Sequence, residues 1–357
     1  MIDWIHARLE IPEPLGLPQE RLLRVDTDGQ ILGEKALAMF ASSGDSTVRV
    51  REMGHFVEIS GNPAKWFQGH NLWGPDHLPS VLFPWVRSVL EALESPGPRV
   101  SAAWDFWTRE RGPLDPGPWV DVVVVHASVM FDLGSDDVVK DYLTYLEGAP
   151  ARNRRVRGNM WGSSTVEWTT RSLRMKAYHK REEMLKAGPD VRVQDYWEAL
   201  LAWAQGKLRW EVELRSRELT RSQLRSLVLW ESIEVSSVAI AYTQVVEMPD
   251  SDATRVLHLE AYPKHLRKTV ALWKAGLDLR AVLPKRTFYR HRKELLEHGI
   301  DIAKPFDPAG FKELGPIPVA RVPKLSELPL AQPPEWAKAT PLMWEPEPIH
   351  LRKRVEA

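Results

Sequence analysis

The segment Ala177-Tyr178-His179-Lys180-Arg181-Glu182-Glu183 holds the residue types needed to break a phosphodiester bond and keep its energy. A tyrosine hydroxyl can attack phosphorus, hold one end of the cut strand covalently, and leave again when the bond is remade. Lys180 lies two residues after Tyr178 and shares its face if the segment is a strand. An ammonium there would stabilise charge developing on a phosphate or lower the phenol pKa. Glu183 closes the group and would orient Lys180. From position alone, Tyr178 fits a half-buried strand aromatic better than a nucleophile.

Charge is placed unevenly around this segment. The chain carries 48 Lys+Arg and 48 Asp+Glu, so net charge points to no partner. Yet residues 151–181 hold nine basic side chains: Arg152, Arg154, Arg155, Arg157, Arg171, Arg174, Lys176, Lys180 and Arg181. Glu167 is the one acid among them. Trp161, Trp168 and Tyr178 interleave. Cations that track phosphates beside aromatics that stack on bases are how single strands are often held. The plain alternative is a solvated basic face. A second cluster runs from Lys285 through Arg286, Tyr289, Arg290 and Arg292 to Lys293. It opens the last of three expected helices, after Gly276 and Pro284. That order fits a helix-turn-helix, whose final helix enters the major groove, or a simple helical subdomain.

The elements that must position these groups follow from periodicity. Residues 1–11, 47–60, 119–131, 164–170, 172–178 and 208–215 read as strands. Residues 76–95, 136–147, 193–206, 219–231 and 264–299 read as helices. The expected fold is α+β: an antiparallel-sheet domain over 1–187, a mixed extension of its core over 188–260, the helical region over 261–312, and a Pro-rich tail over 313–357. Nine prolines within 316–348 predict an extended tail draped over the surface, or a disordered one. Most of the 16 tryptophans should fill the core. There is no cysteine, which excludes a thiol nucleophile, a disulfide scaffold and a Cys-ligated zinc site. The stretch Met1–Ile11 contains acid and His where a signal peptide needs an apolar block. No run approaches the ~18 apolar residues of a membrane span. A soluble, intracellular protein is expected.

Residues 62–74 read Asn-Pro-Ala-Lys-Trp-Phe-Gln-Gly-His-Asn-Leu-Trp-Gly, after Val57-Glu58-Ile59. With the Tyr178 block and the basic segment near 284–300, in that order, they resemble the gene II/X replication initiators of filamentous bacteriophages. The resemblance spans roughly residues 1–340. That family is similar in mechanism to HUH-type rolling-circle endonucleases. The resemblance implies that Tyr178 nicks one strand of a duplex origin in the host cytoplasm, leaving a 5′-phosphotyrosine and a free 3′-OH, and later rejoins the displaced strand. It implies double-stranded origin DNA and single-stranded DNA as partners, with host polymerase and helicase, and an oligomer at the origin. It also implies Mg²⁺ or Mn²⁺, since a dication would polarise the phosphate.

The resemblance marks Glu58 and His70 as family positions, and His126 stands where the family more often has Asp. No His-x-His pair or Arg-x-Asp pattern is present. His126 fits a ligand or a satisfied core histidine, and His70 a ligand or a turn residue. Lys65 and Gln68 are candidate phosphate contacts. Trp66 and Trp73 fit packing or stacking. Glu211 reads as an ion-pair partner of Arg209 or Arg215. Two other readings stay open: a degenerate regulator that binds DNA without cutting it, and an unrelated RNA-binding protein.

Overall fold

The computed structural model describes residues 1–17, 21–93, 97–109, 117–152, 156–247, 262–297, 300–306 and 323–351. In chain order the strands are β1 (Ile2–Glu10), β2 (Arg21–Val25), β3 (Ile31–Ala36), β4 (Met39–Ser43), β5 (Ser46–Glu52), β6 (Phe56–Gly61), β7 (Val120–Asp132), β8 (Pro150–Ala151), β9 (Val156–Arg157), β10 (Asn159–Trp161), β11 (Thr165–Thr169), β12 (Leu173–His179) and β13 (Lys207–Arg215). Nine of them form one sheet in the order β10-β11-β12-β13-β7-β1-β6-β5-β4. Its pairings are antiparallel. The β-branched run of β7 lies at the centre, between β13 and β1.

Period-two alternation gives the sheet two unlike faces. On β13, Leu208, Trp210, Val212 and Leu214 are fully buried, while Arg209, Glu211, Glu213 and Arg215 point the other way. The apolar face is covered by α2 (Leu78–Ala92), α3 (Gly97–Thr108), α4 (Asp136–Leu146), α7 (Ser216–Arg221) and α8 (Val235–Thr243), whose buried residues join one core. Trp85, Trp107, Trp168, Trp210 and Trp230 are sealed within it. Each such indole contributes on the order of 5 kcal/mol by area. The Trp107, Trp168, Trp210 and Trp230 N–H groups donate to backbone carbonyls. Core filling therefore explains most tryptophans, and Trp168 is no base-stacking residue.

The other face stays polar. One end of it is roofed by a smaller core of Leu72, Trp73, Met130, Met184, Leu200 and Leu342. This roof combines the loop after α1 (Pro63–Gln68), α5 (Lys180–Ala187), α6 (Trp197–Trp203) and the C-terminal segment around α12 (Glu335–Lys338). The expected helix over 193–206 is a 3₁₀ turn at Val191–Tyr196 followed by α6. The expected helix over 219–231 is broken at Gln223, whose φ of 59° ends α7; a 3₁₀ turn at Leu227–Ser232 follows. In the tail, residues 323–351 bury Leu325, Ala337, Leu342 and Leu351, so this part is packed rather than loosely draped. Residues 262–297 and 300–306 form a helical unit with its own core: α9 (Lys264–Lys274), α10 (Leu279–Val282) and α11 (Lys285–Leu296) around Leu266, Val270, Phe288 and Leu295. Among the described residues, no helix is long and apolar enough to cross a membrane.

Candidate active site

The Asn-Pro-Ala-Lys block builds a short helix with punctuation at both ends. Asn62 caps α1, its Oδ1 accepting the Lys65 N–H at 2.8 Å, and Pro63 sits where a missing N–H costs nothing. Gly69 ends the helix at φ 74°, a left-handed position that favours glycine. The chain then turns back, so that Asn71 meets the sheet. On the sheet side, a bulge in β1 between Ile2 and Trp4 re-aims Asp3. Asp3 Oδ1 accepts from Asn62 Nδ2 at 3.0 Å and Asn71 Nδ2 at 2.7 Å, and pairs with Arg209 at 3.2 Å. Burial alone would raise the Asp3 pKa; the Arg209 guanidinium, together with the Glu211 and Asn71 contacts and the Lys180 charge, outweighs it and holds the carboxyl well below the usual range. Arg209 also bonds the Asn71 carbonyl and Ser128 Oγ. The α1 loop is thereby tied to β13 and β7.

Tyr178 stands on this polar face. Its register partner on β13 is Arg209, and its hydroxyl donates to Glu211 Oε1 at 2.5 Å. Lys176 Nζ lies 5.0 Å and Lys180 Nζ 5.9 Å from the phenol ring centre. Burial, and then the Glu211 charge, push the phenol well above its usual pKa. Tyr178 therefore remains protonated until a partner takes the proton. The side chain is 5% exposed, yet it lines a cleft of about 330 Å³ with Asp3, Trp4, Asn62, Lys65, Asn71, His126, Lys176, Glu183 and Glu211.

Lys180 does not continue the strand. β12 ends at His179, which caps α5, and Lys180 opens that helix. Its ammonium reaches the site from above, donating to Asn71 Oδ1 at 3.0 Å and Glu183 Oε2 at 2.7 Å. Burial lowers the Lys180 pKa. Burial would raise Glu183, but the Lys180 ammonium outweighs it and holds the carboxyl low. Tyr178, Lys180 and Glu183 thus converge, with Glu183 orienting Lys180. Sequence reasoning missed Asp3, Asn71 and the contact of Glu211 with the Tyr178 hydroxyl, while the expected ion pair of Glu211 with Arg209 is present at 3.4 Å. The alternation of Arg209, Glu211 and Glu213 with buried apolar residues was a usable signal for the polar face.

Glu58, His70 and His126 do not come together. Glu58 pairs with Arg8 and Arg51, each at 2.9 Å, and lies 3.6 Å from His6. It opposes Arg8 on β1, whereas His126 opposes Trp4. Two strand spacings and four residues separate them, about 16 Å. His70 is buried in the roof. Its Nδ1 accepts the Leu72 N–H at 3.2 Å and its Nε2 donates to the Leu342 carbonyl at 3.0 Å. Both nitrogens are occupied, and burial pushes its pKa down to about 3. His126 is on the polar face, 3.7 Å from Glu213, and is not a core histidine. Among the described residues no three His, Asp or Glu side chains are grouped to hold a metal ion. The expected Mg²⁺ or Mn²⁺ ligand set of Glu58, His70 and His126 does not fit this arrangement.

The basic residues divide likewise. Lys65 and Lys176 line the cleft. Gln68 is structural: its Nε2 donates to the Trp73 carbonyl at 2.6 Å and its Oε1 accepts the Trp344 N–H at 3.0 Å. Trp66 and Trp73 are buried and pack. Arg174 pairs with Glu167 at 2.7 Å, Lys176 with Glu211 at 3.5 Å and Arg181 with Asp136 at 2.8 Å. Arg152 pairs with Glu247 at 3.4 Å, and Arg157 and Arg171 are exposed. Arg154 and Arg155 lie outside the described residues. The block is less basic than its sequence, because β13 supplies acids across the strands. On α11, Lys285, Arg286, Tyr289 and Arg290 are exposed, while Arg292 is held by Asp301 at 2.7 Å.

The fold and this face define an α+β protein whose antiparallel sheet presents a tyrosine among lysines, an arginine and carboxylates. The chain belongs to the phage replication-associated protein family of the gene II type: residues 1–233 match the N-terminal region of that family and residues 259–340 its C-terminal region. It is 29% identical over 338 residues to the replication-associated gene II protein of Enterobacteria phage I2-2, covering 89% of this chain and 92% of that protein. No solved structure matches it.

Proposed function

We propose that the chain initiates phage replication by nicking one strand of a double-stranded origin with Tyr178. The observation that carries this reading is the hydrogen bond from the Tyr178 hydroxyl to Glu211, within a cleft bordered by Lys65 and Lys176. Glu211 takes the phenol proton as the oxygen attacks phosphorus. The P–O3′ bond breaks, the 3′-oxygen takes a proton from water, and the 5′-phosphate stays on Tyr178. Lys176 and Lys180 stabilise the charge that builds on the phosphate, and Asn71 and Glu183 hold Lys180 in place. Reversal of the step rejoins the strand. The three-helix unit docks on duplex DNA as a helix-turn-helix, with Lys285, Arg286, Tyr289 and Arg290 toward it. Host polymerase would extend the free 3′-OH.

The test is a covalent adduct on supercoiled DNA carrying the cognate origin. Wild type should form it and Tyr178→Phe should not; an adduct in Tyr178→Phe sinks the assignment. One observation favours a second reading: the phenol is nearly sealed and strongly protonated. That suits a regulator that binds DNA without cutting. Steeply salt-dependent binding with no adduct from wild type would establish it.

A further inference from the structure

We infer that Trp4 and His126 form a stacking subsite for an unpaired nucleobase next to the phosphate held at Tyr178. The inference rests on the nicking reading and adds to it a place for the neighbouring base. Trp4 is 36% exposed and lies on the polar sheet face. It opposes His126 across β1 and β7, and the two rings are 6.2 Å apart at 33°. Both line the cleft that contains Tyr178.

The offset suits an adjoining nucleotide. Glu211, which holds the Tyr178 hydroxyl, opposes Ser128 on β7. His126 is two residues along β7, and Trp4 one strand further on. Trp4 thus lies about 12 Å from the attacking oxygen's partner, measured along the sheet. Glu213 approaches His126 Nε2 at 3.7 Å and is itself held by Arg215 at 2.7 Å and Arg174 at 3.8 Å, while Lys176 pairs with Glu211 at 3.5 Å beside Tyr178. An indole face also accepts any base, because every base has a π-surface.

Binding of a short oligothymidylate is compared with that of an abasic strand of equal length. Trp4→Ala should weaken the oligothymidylate about tenfold and leave the abasic strand unchanged, and Trp4→Phe should recover most of the loss. Equal weakening of both strands, no weakening of either, or no preference of wild type for the strand with bases overturns the subsite. The adduct assay separates the two readings. A Tyr178-dependent adduct with no Trp4 effect sinks the subsite alone. Absence of the adduct in wild type sinks the chemistry whatever the oligonucleotides show.

Discussion

Glu211→Gln isolates the chemistry from the binding. The substitution keeps the size of the side chain and an oxygen that can accept the Tyr178 hydroxyl, but it cannot take the proton. The phenol is held well above its ordinary pKa by burial and by the Glu211 charge. Removing that charge eases the phenol's ionisation slightly, while removing the base costs the proton transfer. General-base catalysis is worth on the order of 10²–10⁴-fold, or about 3–5 kcal/mol of barrier. The adduct rate should fall by that factor. Affinity for single-stranded DNA should hold or rise, since a negative charge leaves the phosphate site. Glu211 also pairs with Lys176 at 3.5 Å and Arg209 at 3.4 Å, so stability should drop by about 1–3 kcal/mol. Single-turnover adduct kinetics, a binding titration and a thermal melt read the three quantities separately. An adduct rate within a few-fold of wild type would refute Glu211 as the base. A rate loss matched by an equal loss of affinity would make it a structural residue.

Further outcomes follow from the same contacts. Glu58→Gln should cost about 1–3 kcal/mol of stability, because Arg8 and Arg51 lose their partner. Its divalent-ion dependence should match wild type in a metal titration; a shifted dependence would restore Glu58 as a ligand. His70 is buried neutral with its pKa near 3, against 6.5 for the free side chain. The unfolded chain therefore binds the proton first, and stability contributed by His70 is complete above pH 6.5. It should be lost as pH falls from 6.5 toward 3, at up to about 1.4 kcal/mol per unit. Denaturant melts across that range should show a flatter acid limb in His70→Gln. Replacing Lys285, Arg286 and Arg290 together by Ala should lower the salt slope of duplex binding by about 0.9 per lost phosphate contact. Single-strand binding should be unchanged; an unchanged duplex slope would remove α11 from the DNA.

The sheet was legible because β7 is a long β-branched run and alternation along β12 and β13 is strong. The grouping of Tyr178, Lys180 and Glu183 was legible because it is local in sequence. Partners brought by pairing were not. Glu211 reaches Tyr178 through a strand register set across the intervening α5 and α6. Asp3 enters through a bulge that no periodicity announces. The block over 151–181 looked strongly basic because its neutralising acids come from elsewhere in the chain: Glu211, Asp136 and Glu247. The family resemblance marks His70 as a ligand position, and its residue type serves a turn equally well. Its actual partner, the Leu342 carbonyl, is 272 residues away.

That distant carbonyl receives two donors, His70 Nε2 at 3.0 Å and Trp73 Nε1 at 2.9 Å, and the Trp344 N–H closes onto Gln68. The loop that delivers Asn71 to Lys180 is thus finished by residues that leave the ribosome well after Tyr178 and Glu211. A nascent chain would hold the tyrosine, its base and its lysines for a time without the strap that locks them. On the nicking reading, competence to cut would then wait for the C-terminal strap to close.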